Sequence, residues 1–277
     1  MTSATRWWAL CLLAPFAVVF LGFAVLSLAH ELMIGADVDN YRTLLQNPVY
    51  PRAVANTVVF VVAAVTLKML LALGVSGLLA SRRRWLKWTA TVALIPWMMP
   101  EVVTMLSARW LLNSTSGLLN RLLETFGLSG VAWLDTPGLA MASVIGVHVW
   151  KLTPFWALTL LAARLAIPPS VYEAAAMDGA GTVRTFRHIT WPLIAGVYLA
   201  GTLLASIWAI GDFNSVYLLT GGGPADSTQV LATLGIQYAF RGGSPDLGAS
   251  VVMTALPVLF IAVVFLVRRS RRQGAIL

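Results

Sequence analysis

His148, Lys151, Leu152 and Phe155 stand at i, i+3, i+4 and i+7 in an otherwise apolar run, so one helical face carries an imidazole, an ammonium and two apolar side chains. Trp208 and Asp212 stand at i and i+4 in another such run, with Ala209 beside the first and Asn214 just past the second. An ionisable group inside a span costs about 2.5–3.5 kcal/mol at a helix centre on insertion scales, so each needs a reason. Two such faces opposed across a polar cavity suit a sugar: aromatic rings take its apolar ring faces and polar groups take its hydroxyl edges. Other readings of the same residues stand beside this one. Lys151 and Asp212 pair with each other as a structural ion pair, or bind a solute carrying charge or amino groups. His148 is a hydrogen-bonded interior histidine. Alternatively, Glu101, His148 and Asp212 relay protons in a secondary transporter. Lys68 reads as a snorkelling cation, and Glu101, after Pro100, as lying at a wet kink in a span broken by Pro96. Catalysis finds no footing: no paired carboxylates, HExxH or Ser/His/Asp grouping is present. No Cys/His cluster has metal-ligand spacing, and the single Cys11 lies in an apolar run and packs as a small hydrophobe. The expectation is a non-catalytic chain with no metal or cofactor of its own.

The elements that hold these residues follow from hydropathy. Of the 277 residues, 58% are hydrophobic and 11% charged, against about 25% charged in a soluble domain. Such a surface must face lipid. Apolar runs at Trp7–Leu28, Ala53–Ala80, Thr89–Leu111, Gly138–Ala163, Leu193–Leu219 and Leu247–Val267 are each long enough to cross ~30 Å of hydrocarbon. They lack strand alternation, so an all-α integral membrane protein with six transmembrane helices is expected. The first run is too long for a signal-peptide core and reads as a retained helix. The net charge of +8 does not indicate nucleic acid, because the basic residues gather at helix ends. With the N-terminus inside, the inner segments hold Arg6, Arg82, Arg83, Arg84, Lys87, Arg164, Arg184, Arg187, Arg268, Arg269, Arg271 and Arg272. The outer ones hold only Arg42, Arg52, Arg121 and Arg241. That asymmetry predicts N-in and C-in. Among the loops, Ala29–Arg52 and Leu112–Pro137 are long enough for short surface helices, and Gly221-Gly222-Gly223-Pro224 reads as a tight turn. No nucleotide-binding Gly-x-x-x-x-Gly-Lys-Ser/Thr loop occurs.

Between the fourth and fifth spans the chain carries its most structured polar segment. Pro168 and Pro169 end a helix. Ser170 and Glu173 have the spacing of a capping box, predicting a short helix over Val171–Asp178. Gly179 supplies the left-handed residue that stops it. Thr182 then caps a second short helix, and Pro192 enters the fifth span near its first turn. The product is a stiff foot presenting Tyr172, Glu173, Ala175 and Ala176. From local pattern alone it serves equally as a connector packed on its own bundle.

Glu173-Ala174-Ala175, Gly179, Ile189 and Trp191-Pro192 at their spacing resemble the EAA loop of binding-protein-dependent ABC importer permeases. Trp191 stands where the family has Leu. The flanks Asn40-Tyr41, Asn56-Thr57, Ile95-Pro96, Gly117-Leu118-Leu119-Asn120, Trp133-Leu134, Ile167-Pro168, Asp178-Gly179-Ala180 and Leu218-Leu219-Thr220-Gly221-Gly222-Gly223-Pro224 are similar to the maltose-type sugar permease branch, its F-type subunit in particular. The resemblance implies a type I ABC importer permease fold: one transmembrane domain over 1–277, with a core of about 53–268 and a coupling segment at 164–192. It implies that Tyr172, Glu173, Ala174, Ala175, Asp178, Gly179 and Pro192 serve ATPase coupling. It places a solute pathway at His148, Lys151, Leu152, Phe155, Trp208, Ala209 and Asp212, where several residue types differ from the maltose permease. The implied partners are a second permease, two ATP-binding subunits holding ATP and Mg, and an extracytoplasmic solute-binding protein, all at a bacterial inner membrane. The solute itself stays unidentified.

Overall fold

The computed structural model describes residues 12–272 apart from 82–84, 86, 87, 89, 90 and 93; side chains at 258, 262, 265–267 and 269–272 are not described either. Cys11, Arg6, Arg82, Arg83, Arg84, Lys87 and the start of the first run at Trp7 therefore lie outside the described residues. What is described is helical, with no strand. Among the described residues, four helices have the length and apolar content to cross a membrane: α1 (Leu12–Gly35), α3 (Val49–Leu79), α7 (Pro137–Leu165) and α9 (Thr182–Ile210). A short α2 (Val38–Gln46) links the first two. The remaining elements are α4 (Ile95–Met98), α5 (Glu101–Leu111), α6 (Leu118–Thr125), α8 (Pro169–Met177), α10 (Asn214–Leu219), α11 (Leu231–Ile236), α12 (Pro245–Met253) and α13 (Ala255–Arg272).

Three expected spans are broken or shifted. The third breaks at Met99 and Pro100, not at Pro96, which sits in the first turn of α4. Pro100 lacks an N–H and holds an extended ψ of 136°, so the helix cannot run through it. The fifth stops at Ile210 and resumes at Asn214, so it does not reach Leu219 as one rod. The last breaks at Thr254.

Helices α3 and α7 pack against each other and form the spine. Phe60, Ala64, Lys68, Ala72 and Ser76 recur every four residues along one buried face of α3. They meet Val144, Ile145, Val149, Trp156, Ala157 and Leu160 of α7, with Ala205 and Ala209 of α9 closing the core. Lipid is as apolar as these side chains, so the packing draws on close contact between small residues and on internal hydrogen bonds. A second cluster joins Leu44, Tyr50 and Ala53 to Leu231, Leu234 and Val251 at the end remote from Gly179.

That remote end is braced by polar contacts to α3. Asn56 donates to the carbonyls of Asp226 and Gln229 (3.3 and 2.9 Å), and Thr57 Oγ1 accepts from Leu231 N (2.9 Å). They hold the Gly221–Pro224 turn, where Gly222 has φ +93°. A Cβ at Gly222 would lie 1.8 Å from Gln229 Oε1, so both backbone angle and space demand glycine.

Candidate functional site

Helix α7 presents His148 and Lys151 one turn apart, both buried. His148 Nε2 meets Lys68 Nζ of α3 at 3.1 Å. Its Nδ1 lies 2.7 Å from Asp212 Oδ2 and 3.2 Å from Ser215 Oγ. An ammonium can only donate, so a charged Lys68 fixes Nε2 as the acceptor and Nδ1–H as the donor to Asp212. Asp212 Oδ1 in turn accepts from Ser215 N at 3.0 Å, closing the first turn of α10. The edge of His148 meets Phe60 with ring centres 5.0 Å apart. Lys68 is 0% exposed and His148 1%. Lys68 therefore does not snorkel; it is the cation of a closed Lys–His–Asp network joining α3, α7 and the break in the fifth span.

Lys151 serves the other break. Its ammonium donates to Met99 O at 2.7 Å and Pro96 O at 3.4 Å. Those carbonyls close the end of α4, where Pro96 O also accepts from Met99 N at 3.4 Å and the chain turns extended at Met99. A lysine at that negative end satisfies them and offsets the helix dipole. Lys151 and Asp212 thus each have other partners and do not pair with one another. Glu101 is exposed at the start of α5.

Between the two clamped breaks lies an aromatic shelf. Phe155 of α7 meets Trp97 of α4 (5.6 Å), Trp208 of α9 (5.6 Å) and the edge of its neighbour Trp156 (4.9 Å). Trp156 also meets Trp208 at 5.7 Å and is buried beneath. Trp97 and Trp208 are 45% and 46% exposed, and Leu152 and Phe155 are partly so. Ala209 is buried behind Trp208. The predicted pathway residues therefore divide. Trp208 is exposed and Leu152, Phe155 and Asp212 are partly so, while His148, Lys151 and Ala209 are buried. Sequence reading missed Trp97 and Trp156. Trp97 stands beside the two prolines that define α4, a signal that its backbone turns toward the site; Trp156 had no signal beyond adjacency to Phe155.

At the other end stands the foot. Helix α8 begins with Pro169 after an extended Pro168, and no side chain caps it. Ser170 is inside the first turn and is not the N-cap, because two prolines already fix the entry. The other terminus closes fully: Ala180 N donates to Ala175 O (2.9 Å), Gly179 N to Ala176 O (3.1 Å), and Gly179 has φ +70°. This is a Schellman stop. Gly181, not Thr182, precedes the next helix. That helix is no separate short piece, since α9 runs on to Ile210. Its turn at Phe186–Thr190 widens to a π-helix, with Trp191 N donating to Phe186 O. The widening relieves the clash that Pro192 would cause in a regular α-turn, so Pro192 lies inside a continuous rod. Tyr172 Oη meets Thr190 Oγ1 at 3.2 Å, tying the two limbs. Ala175 is buried against them, while Glu173, Ala174, Asp178 and Gly179 are exposed. Met177 and Val183 flank the turn at 89% and 80% exposure.

Comparisons with known proteins agree with this architecture. Residues 69–270 match the family described as binding-protein-dependent transport system inner membrane component. The trehalose/maltose transport system permease protein MalF of Thermococcus litoralis is 36% identical over 78% of this chain and 74% of its own length. The sulfoquinovosyl glycerol transport system permease protein SmoG of Agrobacterium fabrum is 32% identical over 91% and 83%. Among solved structures, the bacterial alginate ABC transporter in complex with an alginate pentasaccharide-bound periplasmic protein contains a chain of the same fold. It has a TM-score of 0.86 and 23% identity over 97% of this chain and 96% of that one.

Proposed function

Because this chain belongs to the family of binding-protein-dependent transport system inner membrane components, we propose that it is the permease subunit through which an ATP-driven importer passes a carbohydrate. The relatives named for trehalose/maltose and for sulfoquinovosyl glycerol support a sugar cargo. The proposed topology has six spans: α1, α3, α7 and α9, together with the broken pairs α4–α5 and α12–α13. Both termini and the foot then lie on the cytoplasmic side of a bacterial inner membrane. The complex would comprise a second permease, two ATPase subunits carrying ATP and Mg, and a solute-binding protein on the outer face.

The observation that carries this reading is the foot. A helix closed by a Schellman stop and tied back through Tyr172 to Thr190 moves as a body, whereas a Gly/Ser-rich loop would absorb displacement. Its exposed surface, with Glu173, Ala174, Met177, Asp178 and Val183, is the proposed ATPase contact. Ala175, Gly179 and Pro192 shape it from within. Leu152, Phe155, Trp208 and Trp97 form the sugar pathway. His148, Lys151, Ala209 and Asp212 hold that pathway in shape. Closure of the ATPase dimer would shift the equilibrium between inward-open and outward-open states.

The proton-driven alternative is not favoured. His148 and Asp212 are hydrogen-bonded into a network with Lys68, and Glu101 is exposed and contributes no hydrogen bond to that network. The test is uptake into vesicles containing the complete complex and its loaded receptor. Uptake should require internal ATP. Uptake driven by a proton gradient without ATP would overturn the importer reading.

A further inference from the structure

Arg164 closes α7 just before the foot, and its side chain bonds to a neighbouring helix. Nε donates to Ser76 Oγ of α3 at 2.9 Å, and Nη2 donates to Leu73 O at 3.2 Å. Ser76 Oγ passes its own proton to the same Leu73 carbonyl at 2.8 Å, so the three groups form a closed ring. The guanidinium also lies over Phe186, with Cζ 5.7 Å from the ring centre. Phe186 opens the π-turn of the limb that returns from the foot. One side chain thus touches α3 and the returning limb of α9 while belonging to α7. Ser76 is fully buried, so this is an internal contact. An arginine that only set orientation would need no such partners.

The position has mechanical consequences. Pro154 interrupts the ladder of α7 between the clamp residues His148 and Lys151 and the foot, which makes α7 the more compliant path upward. Helix α3 has no interior proline between Ser76 and Lys68. Lys68 lies eight residues from Ser76, about 12 Å along the axis at 1.5 Å per residue, and it reaches Asp212 at the fifth-span break through His148. We infer that Arg164 is the joint that makes α3 move with the foot. It gives displacement at the foot a route past Pro154 to the break beside Trp208. It is a positioning residue, and the inference rests on the proposal that the foot meets an ATPase.

The experiment uses the full complex with its receptor and measures uptake per ATP hydrolysed. Arg164→Gln is expected to lower that ratio at least about tenfold, the scale of losing a charge-assisted hydrogen bond, while the ATPase still co-purifies. Arg164→Lys should rescue only part, since an ammonium cannot serve Ser76 and Leu73 as a fork. Ser76→Ala in the Arg164→Gln background should add little, because both remove the same ring. A second measurement follows movement: a spin-label pair from Leu78→Cys and Arg187→Cys, in a Cys11→Ser background, should keep one distance across nucleotide states. That distance should vary once Arg164→Gln is added. An unchanged uptake ratio in Arg164→Gln, or a distance insensitive to it, overturns the joint. Loss of ATPase co-purification in none of the foot variants, Glu173→Ala and Tyr172→Ala included, would instead overturn the docking reading beneath it.

Discussion

Lys68 on α3 donates to His148 on α7 across 3.1 Å, at a depth where neither is exposed. The contact is the first link of a network that runs through His148 to Asp212, and it converts a costly set of buried ions into a strut between three segments. Continuity matters more than any single pair. Removing Lys68 or Asp212 leaves an uncompensated charge, which typically costs about 3–5 kcal/mol.

Lys68→Met should therefore destabilise the protein severely, lowering the midpoint of thermal unfolding in detergent and the yield of folded chain. Lys68→Met with Asp212→Asn should recover much of that loss, because no net charge stays buried. Failure of the pair to recover relative to Lys68→Met alone would show that charge balance is not what the network supplies.

Trp208→Ala should leave folding intact and reduce sugar uptake. An aromatic face contributes about 0.5–1.5 kcal/mol beyond burial in pairwise contacts, so a loss of roughly 2- to 13-fold is expected. Trp208→Phe should retain most activity. Vesicle uptake at subsaturating loaded receptor is the measurement, and wild-type uptake by Trp208→Ala would remove the shelf from the pathway.

Gly179→Val should uncouple the importer. The residue sits at φ +70° with open space around it, so the penalty comes from backbone strain alone, about 1–2 kcal/mol for an ordinary L-residue and more for a β-branched one. ATPase activity should lose its response to the loaded receptor while the membrane domain still folds. Full transport by this variant would contradict the role assigned to the foot.

Gly222→Ala combines strain with collision, since the added Cβ meets Gln229 Oε1 and φ is +93°. A clear drop in thermal stability is expected. Adding Gln229→Ala should return part of it, as the collision goes and the strain remains. Equal stabilities of the single and double variants would mean that the backbone angle alone decides.

Several features were legible in the sequence because they follow from local chemistry. Apolar runs too long for a soluble core gave the helices α1, α3, α7 and α9. Gly179 announced a left-handed stop, and the stop is there. The EAA spacing led to the family that residues 69–270 match. The Ser170 cap was misread because two prolines set the helix entry, a competition that a capping pattern alone does not weigh.

What the sequence could not supply was the partner of each buried charge. Spacing showed that His148 and Lys151 share a face of α7, but not what faces them. Lys68 is 80 residues from His148, and Pro96 and Met99 are more than 50 from Lys151. Hydrogen bonds act over about 3 Å, so only the packing of α3, α4 and α9 around α7 could show that Lys151 and Asp212 bond other groups and not each other. The order of residues determined which groups had to be buried. The tertiary structure decided which breaks they hold, and left the aromatic rings of Trp97, Phe155 and Trp208 as the open surface between them.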